Sequence, residues 1–283
     1  MNRFAAVAVR AMATLAIATL ASAPPAHAQG NGGARSGAAA PLVIGETFTI
    51  PSRALGEVRR INVYLPPAYT AEPGTRLPVL YMPDGGIAED FLHVAGLLQV
   101  GIGNETLRPL LLVGIENTQR RRDLTGPSDD PRDLAIAPKV GGSAAFRAFL
   151  RDELFPEIAR RYPVTSERAI VGESLAGLFV VETLFEEPAL FDTYLAFDPS
   201  LWWRREALVR RAWPAFPSAK RLWLATSSEP ELARLTKMFA VREAPAGLRV
   251  TYEPFPAETH ATIYHPAALW ALRRAFAPDT TRH

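Results

Sequence analysis

The sequence predicts an α/β fold in which a mostly parallel central sheet is covered by helices on both faces. From Leu77 to the end of the chain, short apolar segments alternate with longer segments of helical periodicity. Some short segments, such as Leu110–Ile115, are apolar throughout, which is typical of parallel strands buried on both faces. Glu46–Ile50 and Val58–Leu65 precede this alternation and predict an antiparallel pair at one edge of the sheet.

The first 28 residues have the features of a secretory signal peptide. Arg3 and Arg10 supply positive charge at its beginning, and Ala26-His27-Ala28 is typical of a cleavage site. The apolar run Ala11–Ala23 between them is too short to span a bilayer comfortably, so no stable membrane anchor is expected. We therefore predict residues 1–28 to be a cleaved signal peptide and the protein to be periplasmic or secreted.

The remaining chain is predicted to contain one folded unit. Residues 29–41 are rich in Gly, Ala and Ser and lack an apolar period, which indicates a disordered leader. Residues 42–283 show no internal repeat and no second core, so we expect a single α/β domain there.

Composition excludes several classes of function. The 283 residues include 31 Lys and Arg against 29 Asp and Glu. Residues 1–28 hold two Arg and no acidic residue, so the chain after cleavage would be formally neutral. A nucleic-acid partner therefore has little electrostatic support. The absence of cysteine excludes disulfides, thiol nucleophiles and thiolate metal ligands.

The elements after the first strand pair follow from apolar runs and from the residues that end them. Strands are predicted at Leu77–Met82, Leu110–Ile115, Ala169–Val171, Tyr194–Phe197, Arg221–Ala225 and Leu248–Glu253. Helices are predicted at Ala88–Val100, Ser143–Arg161, Leu178–Phe185, Glu231–Phe239 and Pro266–Phe276. Pro156 should bend the second helix because it has no backbone N–H. The polar segment Asn117–Gly142 is long for a loop, and we interpret it as functional or disordered.

The stretch Ala169–Gly177, which reads AIVGESLAG, organises the rest of the chain. A short strand runs into Gly172, Ser174 follows in a tight turn, and an apolar helix begins behind it. A serine hydroxyl reacts well only when a turn holds it beside a base and backbone N–H donors. The arrangement predicts a nucleophile elbow, although similar turns also occur by chance. Ala176 stands where the common G-x-S-x-G pattern has glycine.

Polar residues follow the predicted strands at the sheet edge where ligands bind in open α/β folds. Ser174 follows one strand, Asp198 and Glu229 follow the next two, and His260 follows the last. Serine, acid and histidine thus occur in the chain order of an α/β-hydrolase triad.

Five segments between Val79 and Ala267 carry a resemblance to a known family. They read VLYMPDGG, VGIENTQRRRDLT, AIVGESLAGLF, FDPSLWW and ETHATIYHPA. In them the chain resembles the putative-esterase branch of the α/β-hydrolase superfamily, and above all its siderophore-esterase and esterase D-like members. This resemblance implies the α/β-hydrolase fold and ester hydrolysis through a serine nucleophile.

The resemblance also implies roles for the polar residues. Ser174 is expected to be the nucleophile and His260 the general base. Glu229 is expected to supply the triad carboxylate, while Asp198, Glu231 or a dyad without an acid remain alternatives. His265 competes for the role of base, but its place before Pro266 favours a helix start.

The same comparison implies residues around the triad. Leu175 and Gly85 are expected to donate backbone N–H groups to an oxyanion hole. Arg122 could bind a substrate carboxylate or phenolate, or could instead pair with Asp123 or lie on a solvated loop. Trp202 and Trp203 could form an aromatic wall, with at least one of them in the core.

We therefore expect an exported serine esterase that forms an acyl-enzyme on a small-molecule ester, with no metal and no cofactor. His260 and His265 do not suggest a metal pair, because the run lacks the H-E-x-x-H pattern. An acyltransferase with the same site, or a binding protein of the same fold, is the alternative. The sequence does not give the oligomeric state.

Overall fold

A computed structural model describes residues 39–67, 69 and 74–278 of the chain. The predicted signal peptide lies outside the described residues, as do residues 29–38 of the predicted leader. The described residues from Val43 onward belong to one compact unit. Among the described residues, no helix is both long and apolar enough to cross a membrane.

In the described part of the chain, eight strands form one mixed sheet in the order β1-β2-β4-β3-β5-β6-β7-β8. The first three strands in this order pair antiparallel, and all later neighbours pair parallel. This confirms the predicted parallel sheet with an antiparallel edge. The strands are β1 Gly45–Ser52, β2 Glu57–Tyr64, β3 Leu77–Pro83, β4 Leu111–Ile115, β5 Val164–Glu173, β6 Thr193–Phe197, β7 Lys220–Thr226 and β8 Leu248–Pro254.

Helices connect the strands and cover both faces of the sheet. They are α1 Phe91–Gly103, α2 Arg120–Asp123, α3 Pro131–Ile136, α4 Ser143–Phe149, α5 Phe155–Arg161, α6 Leu175–Glu186, α7 Trp203–Arg210, α8 Pro230–Ala240 and α9 Tyr264–Ala275. Two clusters of buried apolar side chains form the core. One includes Phe179 of α6, and the other includes Val94 of α1 and Leu272 of α9.

The predicted helix over residues 143–161 is present as α4 and α5, joined by a π-helical turn over Leu150–Leu154. Pro156 lies in the first turn of α5, directly after this π-helical turn. Proline cannot donate the hydrogen bond that a continuous α-helix requires, and the π-helical turn directly before it marks the place where the α-helix is interrupted.

The long loop after β4 is ordered by its own short helices and by buried ion pairs. In α3, the side chain of Asp130 accepts a hydrogen bond from the backbone N–H of Arg132 at 3.0 Å, which caps the helix. Arg59 of β2 pairs with Asp123 at the end of α2, and both side chains are only 1% exposed. A buried pair of this kind fixes the loop because separating it would leave an uncompensated charge in the interior.

Candidate active site

Ser174 lies on a sharp turn between β5 and α6. Its backbone has φ 60° and ψ −121°, a strained conformation for a residue that is not glycine. Its N–H donates to the carbonyl of Phe197 at 3.0 Å, and its carbonyl accepts the N–H of Ser200 at 3.1 Å. These bonds to the neighbouring β6 segment hold the strained turn, so the predicted strand–turn–helix around Ser174 is present.

The turn tolerates Ala176 because Gly172 has no side chain. A Cβ placed on Gly172 would lie 2.6 Å from the carbonyl carbon of Ala176 and 2.7 Å from its methyl group. Gly177 packs in turn against the segment after β6, where a Cβ would lie 3.0 Å from the carbonyl oxygen of Phe197. The methyl at position 176 therefore fits as long as position 172 stays glycine.

A chain of hydrogen bonds runs from Ser174 through His260 to Asp198. Ser174 Oγ lies 3.1 Å from His260 Nε2, and His260 Nδ1 lies 3.0 Å from Asp198 Oδ2. Asp198 is fully buried, and its Oδ1 accepts the backbone N–H of Ser227 at 2.7 Å. The hydrogen bond to Asp198 raises the pKa of His260. In the tautomer that fits, Nδ1–H donates to the aspartate and Nε2 accepts from the serine hydroxyl.

Glu229, the expected triad carboxylate, does not hydrogen-bond His260, so the structure favours the alternative Asp198. Asp198 is the first residue after β6, with φ 40°. Glu229 lies three residues beyond the end of β7 as the N-cap of α8, and its N–H donates to Ser227 Oγ at 3.2 Å. Glu229 thus lies farther from the end of its strand than Asp198 does. Its side chain lines the cavity in front of Ser174 and is not placed to contact the imidazole.

Glu231 is engaged elsewhere. Its two carboxylate oxygens accept bonds from the guanidinium of Arg132, at 3.0 and 2.6 Å. His265 is also engaged elsewhere, because its ring stacks on the ring of His93 with 4.5 Å between centroids. It belongs to the first turn of α9, as its position before Pro266 suggested. Of the two competing histidines, only His260 reaches Ser174.

A second carboxylate, Glu173, also faces His260. Its Oε1 lies 3.1 Å from Nδ1, the nitrogen that Asp198 contacts. Burial raises the pKa of Glu173 to about 7. Residue 173 occupies the variable position of G-x-S, so the motif by itself predicts no role for Glu173. A carboxylate directly before a predicted nucleophile was the signal that could have drawn attention to it.

Glu173, Asp198 and His260 bring their ligand atoms within 4.8 Å of one another, a spacing that a cation could also use. In the tautomer above, however, Nδ1 carries a proton and Nε2 accepts from Ser174. Neither imidazole nitrogen then has a lone pair free for a metal. The cluster is therefore best described as a proton network.

The two backbone N–H groups expected to form the oxyanion hole differ in whether they already donate a hydrogen bond within the protein. Leu175 begins α6, and backbone N–H groups in a first helical turn have no acceptor within their helix. The N–H of Gly85 donates to the carbonyl of Ile115 at 3.0 Å, and so it is already used. A Cβ on Gly85 would lie 2.3 Å from the backbone of Gly114, so this glycine allows the turn after β3 to pack closely against β4. The geometry thus supports Leu175 and not Gly85.

Arg122, expected as a possible substrate ligand, is held by two carboxylates. Its Nε donates to Asp123 at 2.7 Å and its Nη2 donates to Glu57 at 2.8 Å. Arg120 makes a two-pronged contact with Asp84, at 2.7 Å for each bond. These charges stabilise the loop after β4, which is the alternative that the sequence left open for Arg122.

Of the two tryptophans, one lies in the core and the other lies on the wall of the cavity. Trp203 is buried and its Nε1–H donates to the carbonyl of Gly126 at 3.3 Å. Trp202 lines the cavity in front of Ser174, and the guanidinium of Arg132 lies 4.9 Å from its ring centroid. The cavity has a volume of about 590 Å³ and is lined by Ser174, Ser200, Trp202, Glu229, Pro230, Glu231, Leu232 and His260.

The parallel sheet, the elbow and the Ser174–His260–Asp198 chain define an α/β-hydrolase-fold protein. Among solved structures, an IroE-like serine hydrolase from Shewanella oneidensis is 28% identical, with a TM-score of 0.73 over 82% of this chain and 80% of that one. The siderophore hydrolase EstB from Aspergillus nidulans is 20% identical, with a TM-score of 0.70 over 85% and 97% of the two chains. The latter likeness concerns the fold alone.

The family model described as Putative esterase matches residues 52–241, and the chain belongs to this family of ester hydrolases. The match includes Ser174 and Asp198 and ends before His260. The ferri-bacillibactin esterase BesA of Bacillus subtilis is 26% identical over 272 residues, which cover 82% of this chain and 92% of that protein. The siderophore triacetylfusarinine C esterase of Aspergillus fumigatus is 35% identical over 161 residues, 52% of this chain and 51% of that protein.

Proposed function

We propose that the protein is an exported serine esterase that hydrolyses siderophore-type esters through an acyl-enzyme on Ser174. The observation that carries the proposal is the continuous chain from Ser174 Oγ to His260 at 3.1 Å and from His260 to Asp198 at 3.0 Å. A serine hydroxyl within reach of an imidazole that is itself oriented by a buried carboxylate is the arrangement that activates serine as a nucleophile.

The reaction follows from these contacts. Ser174 Oγ attacks the ester carbonyl carbon while its proton passes to His260 Nε2, and Asp198 stabilises the imidazolium. The Leu175 N–H donates to the oxyanion of the tetrahedral intermediate. As the intermediate collapses, Nε2 returns the proton to the departing alkoxide. A water molecule then repeats the sequence on the acyl-enzyme and releases the acid, with Ser174 restored. Every step uses side chains and backbone of this chain.

The substrate class is supported by the relatives and by the cavity. Curated relatives from Bacillus subtilis and Aspergillus fumigatus are siderophore esterases. Trp202 presents an indole on the wall of the cavity, against which an aromatic acyl group of the substrate could stack. Export is supported by the signal-like features of residues 1–28 and would bring the enzyme to the compartment where iron carriers arrive.

Labelling with a fluorophosphonate tests the nucleophile. Wild type should become labelled at Ser174 and lose its activity on nitrophenyl esters and trilactone siderophores. Ser174→Ala should neither be labelled nor retain more than about a thousandth of kcat/KM, because the serine and its base act as a unit. Ser228→Ala is the matched control, since the Ser228 hydroxyl is exposed and donates to the carbonyl of Glu258.

The outcomes separate this proposal from its rivals. If Ser174→Ala retained a tenth of the activity with an unchanged melting temperature, another nucleophile would carry the reaction. A wild-type protein that resists labelling but binds siderophores would be a binding protein of the same fold. Ester exchange that outpaces acid release when an alcohol is added would make it an acyltransferase.

A further inference from the structure

Two carboxylates converge on one nitrogen of His260. Asp198 Oδ2 lies 3.0 Å from Nδ1 and satisfies the geometry of a hydrogen bond. Glu173 Oε1 lies 3.1 Å from the same nitrogen, but within the described part of the chain this buried oxygen has no hydrogen-bond partner. A neutral imidazole has a single proton at Nδ1, so it cannot fully satisfy both acceptors.

The surroundings of Glu173 explain why its charge is poorly stabilised. Asp198 already accepts the hydrogen bond from His260 Nδ1, and the guanidinium of Arg120 donates to Asp84. A buried carboxylate oxygen without a donor is costly when ionised. Besides His260, the groups that act electrostatically on Glu173 are Asp84, Arg120 and Asp198. Asp198 and Glu229 act on His260, and the charge of Glu173 also reaches the buried Tyr264.

We propose that Glu173 is a positioning residue that sets the proton affinity of His260 Nε2 in the reaction proposed above. When Glu173 is ionised, the imidazolium formed during attack faces two carboxylates instead of one, and Nε2 is a stronger base. When Glu173 is protonated, only Asp198 stabilises the imidazolium. Because the pKa of Glu173 is about 7, this change falls near neutrality. The two groups then titrate as a coupled pair with shared apparent pKa values.

Glu173→Gln separates charge from shape, because glutamine keeps the size and an acceptor oxygen. Removing the anion should lower the pKa of His260, so the acid limb of kcat/KM should move to lower pH by about one unit. A weaker base should also lower the plateau above pH 8 by about threefold to tenfold. The loss should therefore be large at pH 8 and should shrink or vanish near pH 5.5. Nitrophenyl butyrate, measured from pH 5 to 9, is a suitable substrate.

Two further variants serve as controls for the pH profile of Glu173→Gln. Glu253→Gln, at an exposed carboxylate near the end of β8 to which no described residue donates a hydrogen bond, should reproduce the wild-type profile. Glu173→Asp keeps the charge and should hold the acid limb closer to wild type than glutamine does. A Glu173→Gln enzyme that loses the same factor at every pH would show a purely structural role and would overturn the inference.

A titration that requires no turnover decides the inference independently of the proposed function. The ring signal of His260 in protein labelled with ¹³C-histidine should titrate about one pH unit lower in Glu173→Gln than in wild type. Equal titration of the two proteins would overturn the inference. If no ester is hydrolysed, the proposed function fails, and the same NMR comparison still shows whether Glu173 sets the proton affinity of His260.

Discussion

Both carboxylate oxygens of Asp198 are used, one by His260 Nδ1 and the other by the N–H of Ser227. An aspartate held in this way keeps the imidazole in one orientation and one tautomer. Glu229 lines the same cavity but is exposed and reaches His260 only through the longer-range effect of its charge. The two acids should therefore contribute very differently to catalysis.

Asp198→Asn should lower kcat/KM by about a hundredfold to ten-thousandfold, because asparagine can present the wrong group to Nδ1 and favour the wrong tautomer. Glu229→Gln should stay within about threefold of wild type on a neutral ester. Steady-state kinetics on nitrophenyl butyrate at pH 8, with melting temperatures as a control for folding, would check both. The reverse order of effects would return the role of triad acid to Glu229.

At the scale of elements, the elbow depends on the close contact between the end of β5 and the first turn of α6. The strained φ of Ser174 persists because hydrogen bonds to Phe197 and Ser200 hold the turn from the β6 side. Gly172 lets α6 approach the strand, and the methyl of Ala176 fills the space that remains. The Ser174 hydroxyl is thus held in place by packing between these two elements and not by the serine alone.

Gly172→Ala should destabilise the protein by about 1–3 kcal/mol, because its Cβ would meet the backbone and methyl of Ala176 and nothing flexible can yield. The hydrolysis rate should fall with it as the turn shifts. Gly96→Ala is the matched control within α1, where an added Cβ meets no described atom within 4 Å. It should stabilise the helix by about 0.5–1 kcal/mol.

Urea unfolding of the two variants beside wild type measures both changes in the free energy of unfolding. If Gly172→Ala were as stable as wild type and fully active, the elbow would have room for a side chain, and the packing account of Ala176 would be wrong.

At the scale of the whole molecule, the cavity is assembled by the segments that follow β5, β6, β7 and β8. The arginines of the loop after β4 are engaged in ion pairs. Arg122 is bound by Asp123 and Glu57, and Arg120 by Asp84. Trp202 is the aromatic side chain on the cavity wall, and under the proposed function it would contact an aromatic acyl group, whereas the arginines mainly order the loop.

Trp202→Ala should lower the ratio of kcat/KM for an aromatic ester to that for a butyrate ester by about threefold to tenfold, the value of one stacked ring pair. Arg122→Ala should leave this ratio unchanged, although loss of its ion pairs should lower the melting temperature. Both esters should share one nitrophenyl leaving group, so that the acyl part alone differs. A ratio that falls in Arg122→Ala and holds in Trp202→Ala would place substrate recognition on the arginine loop.

The sequence by itself determined the fold, because short apolar runs alternate with longer segments of helical periodicity, a pattern typical of parallel strands buried between layers of helices. The predicted antiparallel edge and parallel body are both confirmed. The sequence also placed Ser174 on a tight turn, because Gly172 and the apolar run after Leu175 are local signals. The pairing of Ser174 with His260 was suggested by chain order, and the structure brings their side chains to 3.1 Å.

Only the tertiary structure decided which acid meets His260, which arginines are engaged and which glycine N–H is used. Asp198 is the first residue after β6 and Glu229 is the third residue after β7, and this difference of two residues separates a buried partner of His260 from a residue on the cavity wall. Such contacts depend on distances between side chains far apart in the chain, and periodicity carries no information about them. The convergence of Glu173 and Asp198 on one imidazole nitrogen has the same origin, because β5, β6 and the loop after β8 meet only in the folded sheet.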